Sequence, residues 1–253
     1  MPLSRHARAE RLGPYFEAQL RFAGRMAELI GAPLGEMTLR YTNLHRRLGF
    51  GVPGDAPAAG WSAYAETLEA APDLPGQLAL TQAAFLVAAE ERLPLQGQMQ
   101  FGCFAFEAPG EDGAVRIHFN NVDTDADGGP LASVKADRRR AELAAMVRHI
   151  REAHPEATCI RGKSWLYNLE AYRRLFPPEF GASRTVAPGP LRLSGTSSWG
   201  QLIDSREAIR PDVRDALLAN LATLDPETPW LAFPLRVLAT EAPIQAFEAF
   251  YRL

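Results

Sequence analysis

Three aspartates alternate in "HFNNVDTDADGG", residues 118 to 129: Asp123, Asp125 and Asp127, followed by Gly128. Alternating carboxylates closed by a glycine are how a calcium loop begins, because Ca²⁺ gathers many hard oxygen ligands. A full helix–loop–helix calcium loop also needs a ligand at position 9 and a bidentate Glu at position 12. Counted from Asp123, position 9 is Leu131, position 12 is Val134, and Pro130 at position 8 has no backbone N–H. The segment before the loop alternates like a strand, so the entering helix is missing as well. The stretch therefore reads as a connector: a strand ends at Asn120 or Asn121, Asp and Gly make the turn, and a helix begins near Ser133, whose side chain would cap it. A glycine-containing loop between a strand and a helix N-terminus is also where folds bind anions. The Gly128–Gly129 half suits a phosphate, helped by Lys135, Arg138 or Arg139, whereas the three aspartates would repel one.

Other polar residues fall at or near the ends of expected strands. His118, Asn120 and Asn121 end one, Ser164 ends another, and Thr196, Ser197, Ser198 and Gln201 surround Trp199 in a stretch that reads as a third. A cleft where strand ends part is the place for a site. Histidine is the side chain that titrates near neutral pH, which makes His118 the candidate general base. Trp165 and Trp199 read as core or cleft residues; as cleft residues they would contact substrate with Ser197 and Gln201. "GKSWL" (162–166) lacks the second glycine of a nucleophile elbow. No HExxH occurs, and His149 and His154, five apart, do not share a helix face; no metal is expected.

The elements that must position these residues change grammar along the chain. Residues 1–93 read as helical: a helix with Pro14 at its first position, running to Gly31, a second from Leu34 to Leu48, a short one carrying Trp61, Tyr64 and Leu68, and one from Leu78 to Arg92. "GFGVPGDAPAAG" (49–60) is a loop. Residues 94–253 read as a mixed α/β domain. "GQMQFGCFAFEAP" and "AVRIHFNN" form an antiparallel hairpin about the "GEDG" turn. A helix follows over roughly Ser133 to Ala153, with Leu143, Met146, Val147 and Ile150 on its apolar stripe. "ATCIRG" is a strand, "NLEAYRRLF" a short helix stopped by Pro177–Pro178, "PLRLSGTSSWGQLI" a strand and "RPDVRDALLANLATL" a helix. "LAFPLRVLA" is a last strand and "PIQAFEAFY" a closing helix. The strand–helix–strand order requires a crossover, hence a mixed α/β sheet.

The chain has 253 residues, 47% of them hydrophobic and 23% charged, and a net charge of −3. A soluble globular protein is expected, with no field drawing it to nucleic acid or anionic lipid. No apolar run reaches the roughly 20 residues of a membrane span, and the first residues have no signal core. Cys103 and Cys159 belong to no CxxC pair and read as reduced core residues, consistent with a cytoplasmic location.

"KSWLYNLEAYRRLFPPEFGAS" resembles the segment after the fifth strand of GNAT-type N-acyltransferases, in Asn168, Ala171, Leu175–Phe176 and Phe180. The order hairpin, loop, long helix, strand, short helix, strand also resembles that family. "HFNN…HPEATCIRGKSWLYNLEAYRRLFPPEF" resembles a divergent group of it with a helical N-terminal part. The resemblance covers roughly residues 95 to 203. It implies a GNAT-like sheet behind the helices and transfer of an acyl group from acyl-CoA, the co-substrate, to an amine of a small-molecule substrate. It also implies cofactor contacts from Asn120, Asn121, Gly128, Gly129, Ser133, Arg138 and Asn168. The family's phosphate loop, Gln/Arg-x-x-Gly-x-Gly/Ala, is replaced here by "DTDADGGPLAS". The tyrosine that often serves as its general acid is replaced by Phe176, leaving Tyr167 or Tyr172 for that role, with His118 and Ser164 as the other catalytic candidates. Two functions stay open: an acyltransferase, or a non-catalytic binding or assembly protein that has lost the cofactor loop.

Overall fold

A computed structural model describes residues 3–51, 56–88 and 98–253. The boundary expected at residues 93 and 94 lies outside the described residues, and the helix expected over Leu78 to Arg92 instead starts at Leu74 and ends at Val87. In chain order the helices begin with α1 (Arg5–Ile30), α2 (Leu34–Tyr41), α3 (Leu44–Arg47), α4 (Gly60–Ala70) and α5 (Leu74–Val87). Strands β1 (Met99–Phe101), β2 (Phe104–Phe106) and β3 (Ala114–Phe119) follow, then α6 (Ala136–Ala153), β4 (Cys159–Ser164), α7 (Glu170–Arg173), α8 (Pro178–Ala182) and β5 (Thr185–Val186). The chain closes with α9 (Thr196–Trp199), α10 (Pro211–Asn220), β6 (Leu238–Pro243) and α11 (Ile244–Tyr251). The protein is thus a mixed α/β chain with helices preceding a six-stranded sheet. Among the described residues, no helix is long and apolar enough to cross a membrane.

The chain divides into two compact units. One joins Met1–Glu91 to Pro188–Pro234, the other Arg92–Ala187 to Leu235–Leu253. Residues 188–234, expected within the α/β domain, therefore belong with the helices. The reason is burial: Leu193, Trp199, Leu202, Val213, Leu217 and Phe233 share one apolar core with Leu12, Phe16, Phe22 and Met26 of α1. Trp199 is fully buried, edge-on to Phe22 and Phe233, and its indole N–H donates to the carbonyl of Tyr41 at 3.0 Å. A ring that size removes about 150–250 Å² from water. That gain places the segment more firmly than the alternation that suggested a strand at 190–203, where short helical turns form instead.

In the helical unit, α1 starts at Arg5, capped by the Ser4 hydroxyl, which accepts from the N–H of Ala7 at 3.2 Å; Pro14 lies inside it rather than at its start. The single helix expected over 34–48 breaks after Tyr41. Thr42 is extended, and the N–H of Asn43 leaves the helical ladder for the side-chain oxygen of Gln19 at 3.0 Å. The amide of Asn43 in turn bonds the hydroxyl of Tyr15.

In the sheet unit the strand order is β1-β2-β3-β4-β6-β5. Neighbours run antiparallel except β3 and β4, which are parallel. A parallel pair needs a long crossover, and α6 supplies it, burying Leu143, Met146, Val147 and Ile150 against Val115, Ile117 and Ile160. The first expected strand is itself a hairpin. It turns at Gly102, whose φ of +58° suits glycine and where a Cβ would come within 2.0 Å of the Glu142 carboxyl. The last strand is Leu238–Pro243 rather than 231–239, since Pro234 cannot donate to a ladder. The pairing of β5 through only Thr185 and Val186 was too short to leave a pattern in the sequence.

Candidate functional site

β3 and β4 pair only at Ala114–Cys159, Val115–Ile160 and Arg116–Arg161. Beyond Arg116 and Arg161 the two strands keep their outer partners, β2 and β6, but no longer pair with each other. The sheet opens there, at the carboxyl ends of its one parallel pair. Side chains alternate along β3. Val115, Ile117 and Phe119 lie on the face that packs on the helices, and Arg116 and His118 on the other.

His118 stands in this open part. Its Nε2 lies 2.7 Å from a carboxylate oxygen of Glu107, and Arg116 lies 3.7 Å from the other oxygen. The hairpin sets this up, because Glu107 sits across from Arg116 and diagonal to His118. A carboxylate on one ring nitrogen fixes the imidazole's orientation and leaves Nδ1 to exchange a proton. Two residues on, the N–H of Asn120 donates to the Cys103 carbonyl at 2.7 Å, while its side-chain Nδ2 is buried without a hydrogen-bond partner. A buried amide donor without an acceptor calls for an explanation.

The acidic loop is a dense cluster of paired charges, in which the Nε of Arg139 is left without a hydrogen-bond partner. The ammonium of Lys135, nearly buried, is surrounded by the Asp123 carbonyl at 3.0 Å, its carboxylate at 3.3 Å, the Gly128 carbonyl at 3.0 Å and the Asp125 carboxylate at 2.9 Å. The cation in this calcium-like loop is thus the chain's own lysine. Burial opposes the charge on Lys135, yet its bonds to Asp125 and Asp123 hold its pKa above the usual lysine value. Its bond to Asp125 holds that carboxyl below the usual carboxylate range. The other oxygen of Asp123 takes the guanidinium of the fully buried Arg139 at 2.6 Å and that of Arg138 at 3.2 Å. Arg139 also reaches Glu142 at 2.9 Å and contacts the Cys103 sulfur. Gly128 and Gly129 bond within the loop. Ser133 is exposed and opens a 3-10 turn, Ser133–Lys135, without capping α6; Lys135 stands at the cap because its side chain is drawn into the loop. Asn121 accepts from the Thr124 hydroxyl at 3.0 Å. These groups do not fit a pyrophosphate, which would have to displace Lys135 and face two carboxylates.

The remaining candidates have structural positions. Tyr167 and Tyr172 are buried on the helix-packed side of the sheet, away from His118, their rings 5.1 Å apart and packed with Phe119, Phe176 and Phe180. Burial pushes both phenols well above their usual pKa. Gly162 exists for this packing, since a Cβ there would come within 1.8 Å of the Tyr167 hydroxyl. Ser164 accepts from the N–H of Leu166 at 3.1 Å and caps the turn that holds the buried Trp165. Asn168 donates to the carbonyls of Trp165 and Arg236 at 2.7 and 2.9 Å. Ser197, Trp199 and Gln201 lie in the other compact unit; Trp199 and Gln201 are fully buried there.

The residue that sequence reasoning missed is Glu107. The signal was present: the "GEDG" turn fixes the register, and counting back from it puts Glu107 beside Arg116 and His118. Among the described residues, no group of three or more His, Cys, Asp or Glu side chains is arranged to hold a metal. No family model matches the chain, and neither does any curated protein or solved structure.

Proposed function

We propose that the sheet unit transfers an acyl group from a thioester to an amine, with His118 as the base. The observation that carries this reading is the His118–Glu107 pair at the point where β3 and β4 part, beside the partnerless amide of Asn120. The reading is also supported by the sheet itself, a mixed sheet whose parallel pair opens at its carboxyl end, where a cleft can hold a substrate. In the reaction the amine nitrogen attacks the thioester carbonyl and gives its proton to Nδ1 of His118. The carbonyl electrons move to oxygen, where the Asn120 amide stabilises them. They then return to expel the thiolate, which takes up a proton. Because the acidic loop does not fit a pyrophosphate, the donor is held by its thioester end.

A second reading, a binding or assembly protein on the same sheet, is favoured by the Lys135 cluster, which closes the place where the family holds its cofactor phosphates. A thermal-shift scan with acetyl-CoA and longer acyl-CoAs separates the two, since binding to the folded state raises the melting temperature. A rise that grows with ligand concentration is expected for transfer from acyl-CoA. No shift at millimolar ligand sinks the coenzyme A donor and leaves the binding reading.

A further inference from the structure

An open pocket of the helical unit lies at the end of α1, with a volume of about 950 Å³. That is a small-molecule volume. Its walls are of two kinds. Ile30, Leu39 and Trp230 are apolar, and Ile30 is 41% exposed, an unusual position for an isoleucine with neighbours to pack on. Arg40 and Arg192 also line it, with Glu227 as the one carboxylate of the lining. Arg40 is exposed and forms no ion pair among the described residues; its guanidinium lies 5.2 Å from the ring centre of Tyr41. His45 also lines the cavity. It is 3% exposed, held edge-on by Trp61 at 6.3 Å, and its Nδ1 has no hydrogen-bond partner.

A pocket lined by the ion-pair-free Arg40, by partly exposed apolar side chains and by a buried imidazole nitrogen without a hydrogen-bond partner is complementary to one kind of ligand. We propose that this cavity binds an amphipathic carboxylate of the medium-chain fatty-acid class, its carboxylate on Arg40 and its chain along Ile30, Leu39 and Trp230. The carboxylate supplies the acceptor pair that a planar guanidinium takes in two parallel bonds, and His45 adds a polar group to the same lining. This site is in a different unit from His118 and does not depend on the acyl-transfer reading.

The test is calorimetric titration of the full chain with decanoate below its micelle concentration, against decanol and acetate. Decanoate is expected to bind, and decanol and acetate each at least 10-fold more weakly, because each lacks one half of the complementarity. Arg40→Ala is expected to weaken decanoate by about 10- to 100-fold, the value of a charged hydrogen bond. Arg40→Lys, which keeps the charge but not the fork, should fall between. Arg40 is on the surface, so both variants fold. Equal binding of decanoate and decanol, an Arg40→Ala variant that binds decanoate unchanged, or no binding of decanoate overturns the proposal. His118→Ala, which tests the other unit, is expected to bind decanoate as the wild type does.

Discussion

Two polar regions flank the end of β3 and they are built oppositely. The acidic loop, residues 123 to 128, brings Asp123 and Asp125 together with Lys135, Arg138 and Arg139, and its charges answer one another. The strand end at His118 holds one oriented imidazole and one buried amide donor that nothing accepts from. The loop, read in the sequence as a connector despite its calcium-like start, is architecture. The strand end, read in the sequence as the place of a candidate base, holds an imidazole oriented by a carboxylate. The loop's charges pair with one another, although the Nε of Arg139 is also buried without a hydrogen-bond partner; the strand end differs in its imidazole, oriented by a carboxylate.

Breaking this contrast should have graded effects on stability. Asp123→Ala leaves the fully buried Arg139 and the caged Lys135 without their shared carboxylate. Breaking a buried pair in this way costs about 3–5 kcal/mol, seen as a fall in the urea midpoint with the slope unchanged. Gly162→Ala forces a methyl into the Tyr167 hydroxyl and should cost about 1–3 kcal/mol by overpacking. An unaffected midpoint in that variant would mean that Tyr167 can move, restoring it as a candidate acid.

The clamp on Lys135 should show in pH dependence. Asp125 has a depressed pKa in the folded state, so its contribution is present above the unfolded carboxylate value, about pH 4, and is lost as pH falls through the folded value. Lys135 has a raised pKa, so its contribution is complete below the unfolded lysine value, about pH 10, and is lost as pH rises through the folded one. The difference in urea midpoint between wild type and Lys135→Met is therefore expected to be flat from about pH 5 to 9 and to shrink below about pH 4. The smallest effect belongs to Asn120→Ala. Its Nδ2 bonds nothing, so the midpoint should move by no more than about 0.5 kcal/mol, while turnover falls. A large loss of stability instead would make Asn120 part of the architecture, like the loop.

Much of the sheet unit was legible in the sequence because its signals are local. The alternation in "AVRIHF", the "GEDG" turn and the stripe of Leu143, Met146, Val147 and Ile150 each specify an element without reference to the rest. What failed to show was decided at a distance. The helix over 34–48 breaks because Gln19 and Tyr15, on another helix, take the polar groups of Asn43. Residues 190–203 become helical turns because Trp199 has a place between Phe22 and Phe233. The candidate site was half legible: His118 and Asn120 stood out as polar strand ends, but the burial of Tyr167 and Tyr172 depends on which face of the sheet the helices cover. Lys135 filling the loop depends on a side chain folding back over seven residues, which no local pattern announces.

In the proposed reaction His118, oriented by Glu107, is the base. The direct measurement is thiol release from a panel of acyl-CoA donors with a saturating primary amine, run on wild type and on His118→Ala. The account predicts turnover by the wild type with at least one donor, and a loss of about 10²- to 10⁴-fold in the variant, the usual worth of a positioned base. Equal turnover by the two proteins, or none by the wild type with any donor, would contradict it.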